Sequence, residues 1–174
     1  MWTLMESPVG PLRLVANGRA VTAIEFTEAP AGEVAPRSSA ARAAAVSAGR
    51  PAGDRADADP LLRETARQLG GYFARELKEF DLPLDPVGTA FQQKVWAQLR
   101  LIGYGETASY GEIAGRLGMS LAASRAVGLA NGRNPIPIVV PCHRVVGANG
   151  TLTGYAGGLE RKQVLLDLEQ DALF

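Results

Sequence analysis

The sequence predicts an α/β (α+β) protein of two domains, a small antiparallel sheet with one helix followed by a mostly helical unit. Strand-like alternation dominates residues 1–27, and helical spacing dominates the second half of the chain. An extended segment with several prolines, Phe80 to Pro86, separates the two patterns. At 174 residues and 47% hydrophobic, the chain can bury a core in two small domains. We therefore expect domains at residues 1–85 and 86–174.

The first domain begins with a predicted hairpin. Apolar residues alternate with other residues along 12–16, and Val21 to Phe26 is the expected partner strand. Between them, Asn17-Gly18 is a strong signal for a tight turn.

A long loop and a helix complete the first domain. Residues 29–59 are rich in Ala, Pro, Gly and Ser without an apolar period, which predicts a long surface loop. Asp59 is placed to cap a helix that has Pro60 at its first position. Apolar residues at three- and four-residue spacing predict its buried face: Leu62, Ala66, Leu69, Phe73 and Leu77.

The second domain contains a predicted helix-turn-helix. Capping-box patterns at Thr89–Gln92 and Ser109–Glu112 mark two helix starts. Gly118 ends the second of these helices, and Ser120 is the expected cap of the next. The inward-facing residues of that next helix are expected to be Leu121, Ala123, Val127 and Ala130. Such helix pairs bind DNA in some proteins and are simple packing units in others.

Charge is distributed unevenly along a chain that is neutral overall. Lys+Arg and Asp+Glu both number 18, but Phe91 to Gly150 holds six basic residues and two acidic ones. This local excess is compatible with a phosphate-binding face and also with an ordinary solvated surface.

Composition also limits the compartment. A single cysteine excludes an intrachain disulfide and fits a reducing compartment. With a single histidine as well, we expect no metal and no cofactor. The opening MWTLMESPVG lacks the pattern of a secretory signal, and no apolar stretch is long enough to span a bilayer. We expect a cytoplasmic protein without a membrane partner.

The segment NPIPIVVPCHRVV, residues 134–146, carries the chemistry. Its three prolines exclude a helix and place Cys142 and His143 side by side on a turn. Imidazole can take a thiol proton directly or through water, and adjacent side chains rarely face one another, so a water relay is expected. Arg144 is expected to favour the thiolate by its positive potential. A final helix is expected from Leu159 to about Glu169, with four buried residues: Leu159, Val164, Leu165 and Leu168.

Other interpretations of these residues stay open. A lone cysteine is more often a small buried hydrophobic residue. A Cys–His pair also fits a thiol hydrolase, with Glu169 or Asn134 as the orienting group. Glu169 could instead pair with Lys162 or Arg161 on the helix surface.

Six stretches together resemble the O6-alkylguanine-DNA alkyltransferases, also called methylated-DNA–protein-cysteine methyltransferases. They are FQQKVW (91–96), YGET (104–107), SYGEIA (109–114), RAVG (125–128), NPIPIVVPCHRV (134–145) and GYAGGL (154–159). The resemblance covers residues 86–170, whereas the first 80 residues match only in SPVGPLRLVA. It implies a ribonuclease-H-like first domain. Some family members hold zinc there, but this chain lacks the ligands.

The resemblance implies a role for each matching residue. Cys142 would accept the alkyl group, His143 would deprotonate it through water, and Glu169 would orient His143. Asn134 would organise the turn, and Tyr110 would protonate the departing base.

The resemblance also implies the DNA contacts and the reaction. Arg125 would fill the stack when the damaged nucleotide is flipped out, and the other DNA-binding residues would be Ala123, Ser124 and Tyr110. The substrate pocket would be lined by Pro137, Val145, Tyr155, Ala156 and Gly157. The implied partner is duplex DNA with O6-alkylguanine, or O4-alkylthymine, repaired by one monomer in a single turnover. The alternative is a non-catalytic sensor of alkylated DNA or a helix-turn-helix regulator.

Overall fold

A computed structural model describes residues 1–27 and 53–171 of the chain. Its first part is a three-stranded antiparallel sheet in the order β1-β2-β3. The strands are β1 (Trp2–Met5), β2 (Leu12–Ala16) and β3 (Val21–Phe26). Leu12, Leu14 and Ala16 are buried, as their alternation predicts.

The predicted turn joins β2 to β3. Gly18 adopts a φ of 92°, a conformation that glycine reaches without steric cost. The side-chain oxygen of Asn17 accepts hydrogen bonds from the backbone N–H groups of Arg19 and Ala20, both at 3.0 Å. This short-range bonding by Asn confirms the hairpin signal.

Both edges of the sheet are paired. The backbone N–H of Ala56 donates to the Trp2 carbonyl at 2.8 Å, so the end of the predicted 29–59 loop runs along β1. The earlier residues of that loop, up to 52, lie outside the described residues. On the other edge, the N–H of Val21 donates to Pro83 O at 2.8 Å, and that of Ile24 to Pro135 O at 2.9 Å. The second bond ties the sheet directly to the loop before Cys142.

Helix α1 (Pro60–Phe73) begins as the sequence predicts. The Asp59 side chain accepts from the N–H of Leu62 at 2.9 Å, and Pro60 is the first helical residue. The helix packs against the three strands, but it ends before Leu77. Arg75 has a φ of 61°, so the chain leaves the helix there and Leu77 packs on the core from the following turn.

The second part contains four helices and a short parallel strand pair. Both predicted capping boxes form, at Thr89 and Ser109. Within residues 1–27 and 53–171, no helix has the length and apolar character needed to cross a membrane. The elements are α2 (Ala90–Leu99), β4 (Ala108–Ser109), α3 (Tyr110–Arg116), α4 (Ser124–Gly132), β5 (Val145–Val146) and α5 (Leu159–Asp171).

The helix-turn-helix of α3 and α4 differs from prediction at its turn. Gly118 ends α3 with a φ of 71°, but Ser120 makes no side-chain cap bond. A 3₁₀ turn, Leu121–Ala123, precedes α4 instead. The predicted burial of Leu121 is wrong, since it is 77% exposed. Its methyl group lies over Gly111, where an added Cβ would come within 2.7 Å, so Leu121 covers the outside of α3.

The buried face of α5 is only partly the one predicted, since Leu165 is buried and Leu168 is half-buried as expected. Leu159 and Val164 are exposed, whereas Lys162, Leu165 and Glu169 are buried. The last three residues are spaced by three and four, so they share one helical face. Two of them are charged because this face packs against the Cys142 turn, and apolar periodicity therefore misses those two.

Substituting two glycines of the helix-turn-helix separates the effect of backbone conformation on stability from that of steric contact. At both Gly115 and Gly118 an added Cβ would meet no atom within 4 Å, but only Gly118 has a positive φ. We expect Gly115→Ala to raise the free energy of unfolding by about 0.5–1 kcal/mol. Gly118→Ala should lower it by about 1–2 kcal/mol. Urea unfolding of both variants measures this, and effects of the same sign would contradict the left-handed turn at Gly118.

Candidate active site

The loop before the cysteine is closed by one amide side chain. Asn134 Nδ2 donates to the Val140 carbonyl at 2.8 Å, and Asn134 Oδ1 accepts from the N–H of Ile136 at 3.0 Å. The N–H of Val140 donates to Ile136 O at 2.9 Å. Because these three bonds close the loop on itself, the position of Asn134 agrees with an organising role.

Ile138, at the middle of this loop, is held in a rare conformation. Its φ is 74°, which is unusual for a β-branched residue and costs about 1–3 kcal/mol. The side chain is fully buried. Packing and the Asn134 bonds therefore hold strained backbone four residues before the cysteine.

Cys142 begins a 3₁₀ turn, Cys142–Arg144, that leads into β5. Its N–H donates to Val140 O at 2.8 Å, and Asn131 Nδ2 donates to its carbonyl at 3.4 Å. The residue is 4% exposed. Cys142 is therefore a buried free cysteine.

The resting thiol is neutral. Burial raises the pKa of Cys142 to about 11, against the opposing effects of Asn134 and the Lys162 charge. Arg144 is expected from the sequence to favour the thiolate, but in the resting protein burial outweighs any such effect. The Arg144 guanidinium is turned to other partners, donating to Ile102 O at 2.7 Å and to the Glu169 carboxylate. Ionisation of the thiol needs a base.

His143 is oriented by a buried carboxylate. Its Nε2 lies 2.7 Å from Glu169 Oε1, and both side chains are buried. An ionised carboxylate only accepts hydrogen bonds, so Nε2 carries the proton. Burial lowers the pKa of His143 despite the opposing effect of Glu169, which leaves the imidazole neutral at neutral pH. Its bare Nδ1 is buried and has no hydrogen-bond partner among the described residues.

Glu169 accepts hydrogen bonds from four residues in three parts of the chain. Besides His143, the Arg144 guanidinium contacts both carboxylate oxygens, with Nη2 2.9 Å from Oε1 and Nε 3.0 Å from Oε2. The Tyr72 hydroxyl of α1 donates to Oε1 at 2.7 Å, and the N–H of Gly105 donates to Oε2 at 3.3 Å. Burial alone would raise the pKa of Glu169, but the bonds to His143 and Arg144 outweigh it and lower the pKa to about 2.

The parallel pairing of β4 with β5 brings Tyr110 to the cysteine turn. Ala108 pairs with Val145 and Ser109 with Val146, so Tyr110 begins α3 directly beside the end of β5. Its ring is 3.6 Å from the Cβ position of Gly128 on α4. The Thr153 hydroxyl donates to the Tyr110 oxygen at 2.8 Å.

Lys162 is fully buried in the same region. Its Nζ donates to Val145 O at 2.6 Å and to Thr153 O at 2.9 Å. The surface pairing of Glu169 with Lys162 or Arg161 is therefore not what forms. Arg161 instead donates from Nε to Val9 O at 2.8 Å.

The five predicted pocket residues occupy different environments. Pro137 and Val145 are buried, Tyr155 is half-buried and Ala156 is exposed. The Tyr155 hydroxyl is buried and has no hydrogen-bond partner among the described residues. At Gly157, an added Cβ would come within 2.8 Å of the Phe26 ring and 3.0 Å of Tyr155. Gly157 thus lets β3 pack against the pocket segment.

The predicted DNA-binding residues lie around the start of α4. Arg125 is exposed, and Ala123 and Ser124 are half-buried. The Ser124 hydroxyl donates to Leu121 O at 2.7 Å, so it is used within the helix start. Beside it, a recess of about 360 Å³ is lined by Ser109, Tyr110, Gly111, Glu112, Leu121, Ser124 and Ala148.

Sequence reasoning missed the supporting residues Tyr72, Thr153 and Lys162. Tyr72 belongs to the other domain and is 97 residues from Glu169, so no local pattern links the two. For Lys162, the one available signal was that a lysine lies on the same face of α5 as the buried Leu165. Among residues 1–27 and 53–171, no three His, Cys, Asp or Glu side chains are grouped to hold a metal ion.

The bonds of Glu169 predict a dependence of stability on pH. Its folded pKa of about 2 is below the ordinary 4.5, so its contribution is present above pH 4.5 and is lost as pH falls towards 2. We expect the parent to lose about 3 kcal/mol more than Glu169→Gln over this range. Urea titrations at several pH values measure the difference. Glu160→Gln, on the exposed face of α5, should follow the parent, and parallel curves for parent and Glu169→Gln would contradict the network.

Comparisons with known proteins match both halves of the chain. The family model "6-O-methylguanine DNA methyltransferase, ribonuclease-like domain" matches residues 1–86. The model "6-O-methylguanine DNA methyltransferase, DNA binding domain" matches residues 90–171.

Full-length relatives and a solved structure agree with these models. The methylated-DNA–protein-cysteine methyltransferase of Methanosarcina acetivorans is 46% identical over 168 residues, 97% of each chain. That of Mycobacterium tuberculosis is 47% identical over 167 residues, 95% of this chain and 90% of the relative. The crystal structure of Mycobacterium tuberculosis OGT in complex with DNA superposes with a TM-score of 0.80 at 44% identity, covering 98% of this chain and 93% of that one. The resemblance and the two-part α/β fold are confirmed, and the chain belongs to the 6-O-methylguanine DNA methyltransferase family.

Proposed function

We propose that this protein repairs DNA by transferring the alkyl group of O6-alkylguanine, and of O4-alkylthymine, to Cys142. The observation that carries the proposal is the ordered pair beside the thiol. His143 has a protonated Nε2 fixed by Glu169 and a bare, buried Nδ1. The names of the full-length relatives and the match to a DNA complex support the same activity.

The first step is ionisation of the thiol. A protonated thiol with a pKa of about 11 is a poor nucleophile, so its proton moves to His143 Nδ1 through one water. Glu169 stabilises the resulting imidazolium, since its ionised carboxylate lies 2.7 Å from Nε2. Arg144 and Tyr72 hold that carboxylate in place.

The second step is displacement at the alkyl carbon. The Cys142 sulfur forms a bond to carbon while the bond from carbon to O6 breaks, and its electron pair goes to the base. Tyr110 donates its phenol proton to N3, so guanine leaves neutral. Backbone N–H groups near Val145 and Ala156 would stabilise charge on the base. With one cysteine in the chain, no second thiol removes the thioether, so each molecule reacts once.

The buried sulfur requires an extruded base. O6 lies on a base edge inside the duplex, so the nucleotide must rotate out and enter between Tyr110 and the Tyr155–Gly157 segment. Arg125 is exposed at the start of α4, where it can fill the vacated position in the stack. Small side chains at Ala123 and Ser124 permit close approach of the helix to the groove.

Phosphate binding rests on surface charge of the second domain. Of the six cations between residues 91 and 150, Arg144 is buried with Glu169. The exposed remainder are Lys94, Arg100, Arg116, Arg125 and Arg133. Action as a monomer is part of the proposal. The free thiol acceptor suits the reducing cytoplasm.

The proposal predicts a stoichiometric, stable modification. After incubation with duplex DNA containing O6-methylguanine, intact-mass spectrometry should show one added methylene per protein, located on Cys142 by peptide analysis. Cys142→Ser should stay unmodified and still bind the duplex, because the hydroxyl fits the same turn without a reactive thiolate.

The rival functions give different results in the same assay. A damage sensor or regulator would bind methylated duplex and keep an unchanged mass. A thiol hydrolase would turn over a peptide or ester repeatedly without a stable adduct. Either result would overturn the repair proposal.

A further inference from the structure

Thr153 contacts a reacting group and has no role in the scheme above. Its hydroxyl donates a 2.8 Å hydrogen bond to the phenol oxygen of Tyr110, across 43 residues of sequence. Both side chains are partly buried, so water competes weakly for this bond. The contact joins the start of α3 to the segment that follows β5.

The direction of this bond has a chemical consequence. A phenol has one hydrogen to donate and an oxygen that also accepts. In the orientation in which the Thr153 hydroxyl donates, the Tyr110 hydrogen stays free for another acceptor. That orientation also means that a donor already faces the phenol oxygen when negative charge develops there.

Thr153 is itself held by a buried cation. Lys162 Nζ donates to the Thr153 carbonyl at 2.9 Å and to the Val145 carbonyl at 2.6 Å. Burying an ammonium is costly unless its donors are satisfied, and these two carbonyls accept hydrogen bonds from it. One side chain thus fixes Thr153 relative to β5, the strand that directly follows the Cys142 turn.

The Tyr110 ring is confined from the other side by α4. The Cβ position of Gly128 lies 3.6 Å from two ring carbons, so the ring packs over the glycine backbone. With the ring held by Gly128 and the oxygen held by Thr153, the phenol has a fixed position and its hydrogen a restricted direction.

We propose that Thr153, anchored by Lys162, is a positioning residue that directs the Tyr110 phenol hydrogen to the departing base and stabilises the phenolate. This inference rests on the proposed function. In the step concerned, the Tyr110 O–H bond breaks as the N3–H bond of guanine forms. The Thr153 hydrogen remains on its own oxygen, and its bond to the phenolate strengthens because the acceptor becomes charged.

The test uses a matched pair of substitutions in the full-length protein. Thr153→Val removes the hydroxyl with little change of shape, and Thr153→Ser retains it. We expect Thr153→Val to slow single-turnover methyl transfer from O6-methylguanine duplex by about tenfold or more, the effect of losing a hydrogen bond to a charged group. Thr153→Ser should stay within about twofold of the parent.

Two further measurements separate positioning from general damage to the fold. Iodoacetamide alkylates the same Cys142 thiol, but its leaving group is iodide and no departing nucleobase needs a proton. The rate of this alkylation should therefore be equal in Thr153→Val and the parent. In a Tyr110→Phe background, Thr153→Val should have no further effect on the rate of methyl transfer. Thr153 acts only through the Tyr110 hydroxyl, and that hydroxyl is already absent.

Each outcome decides one question. Unchanged methyl transfer in Thr153→Val, equal slowing of transfer and iodoacetamide alkylation, or additive losses with Tyr110→Phe would overturn the inference. If the parent itself formed no methyl adduct, the proposed function would fail instead.

Discussion

The buried carboxylate of Glu169 is the group on which the site depends. Three donors besides His143 satisfy it, so it stays ionised in a place where an unpaired charge would be very costly. Because it can only accept, it fixes the proton of His143 on Nε2 and leaves Nδ1 bare. A neutral thiol and an oriented neutral base are thus stored together until a substrate arrives.

This arrangement gives the first domain a part in the chemistry. Tyr72 of α1 reaches Glu169 across the domain boundary, and Ile24 of β3 bonds to Pro135 in the loop before the cysteine. Phe26 packs against Gly157 in the pocket segment. The sheet and α1 therefore act as a support that holds the reactive turn and the pocket wall.

Local chemistry made much of the molecule predictable. Capping boxes, the Asn17-Gly18 turn and the proline-rich cysteine turn each depend on neighbouring residues, and each forms as expected. Predictions failed where distant contacts decide. Apolar spacing could not reveal that α5 buries Lys162 and Glu169, or that Leu121 lies outside the core. The raised pKa of the thiol likewise arises from burial in the folded protein.

The protonation state of the imidazole tests this account most directly. His143 is the only histidine of the chain, so nitrogen NMR of histidine-labelled protein reports it without overlap. The account predicts a mainly neutral ring with its proton on Nε2 at pH 7, and a ring that is less than half protonated at pH 6.5, since the folded pKa is lowered. A ring protonated on both nitrogens at pH 7, or one carrying its proton on Nδ1, would contradict it.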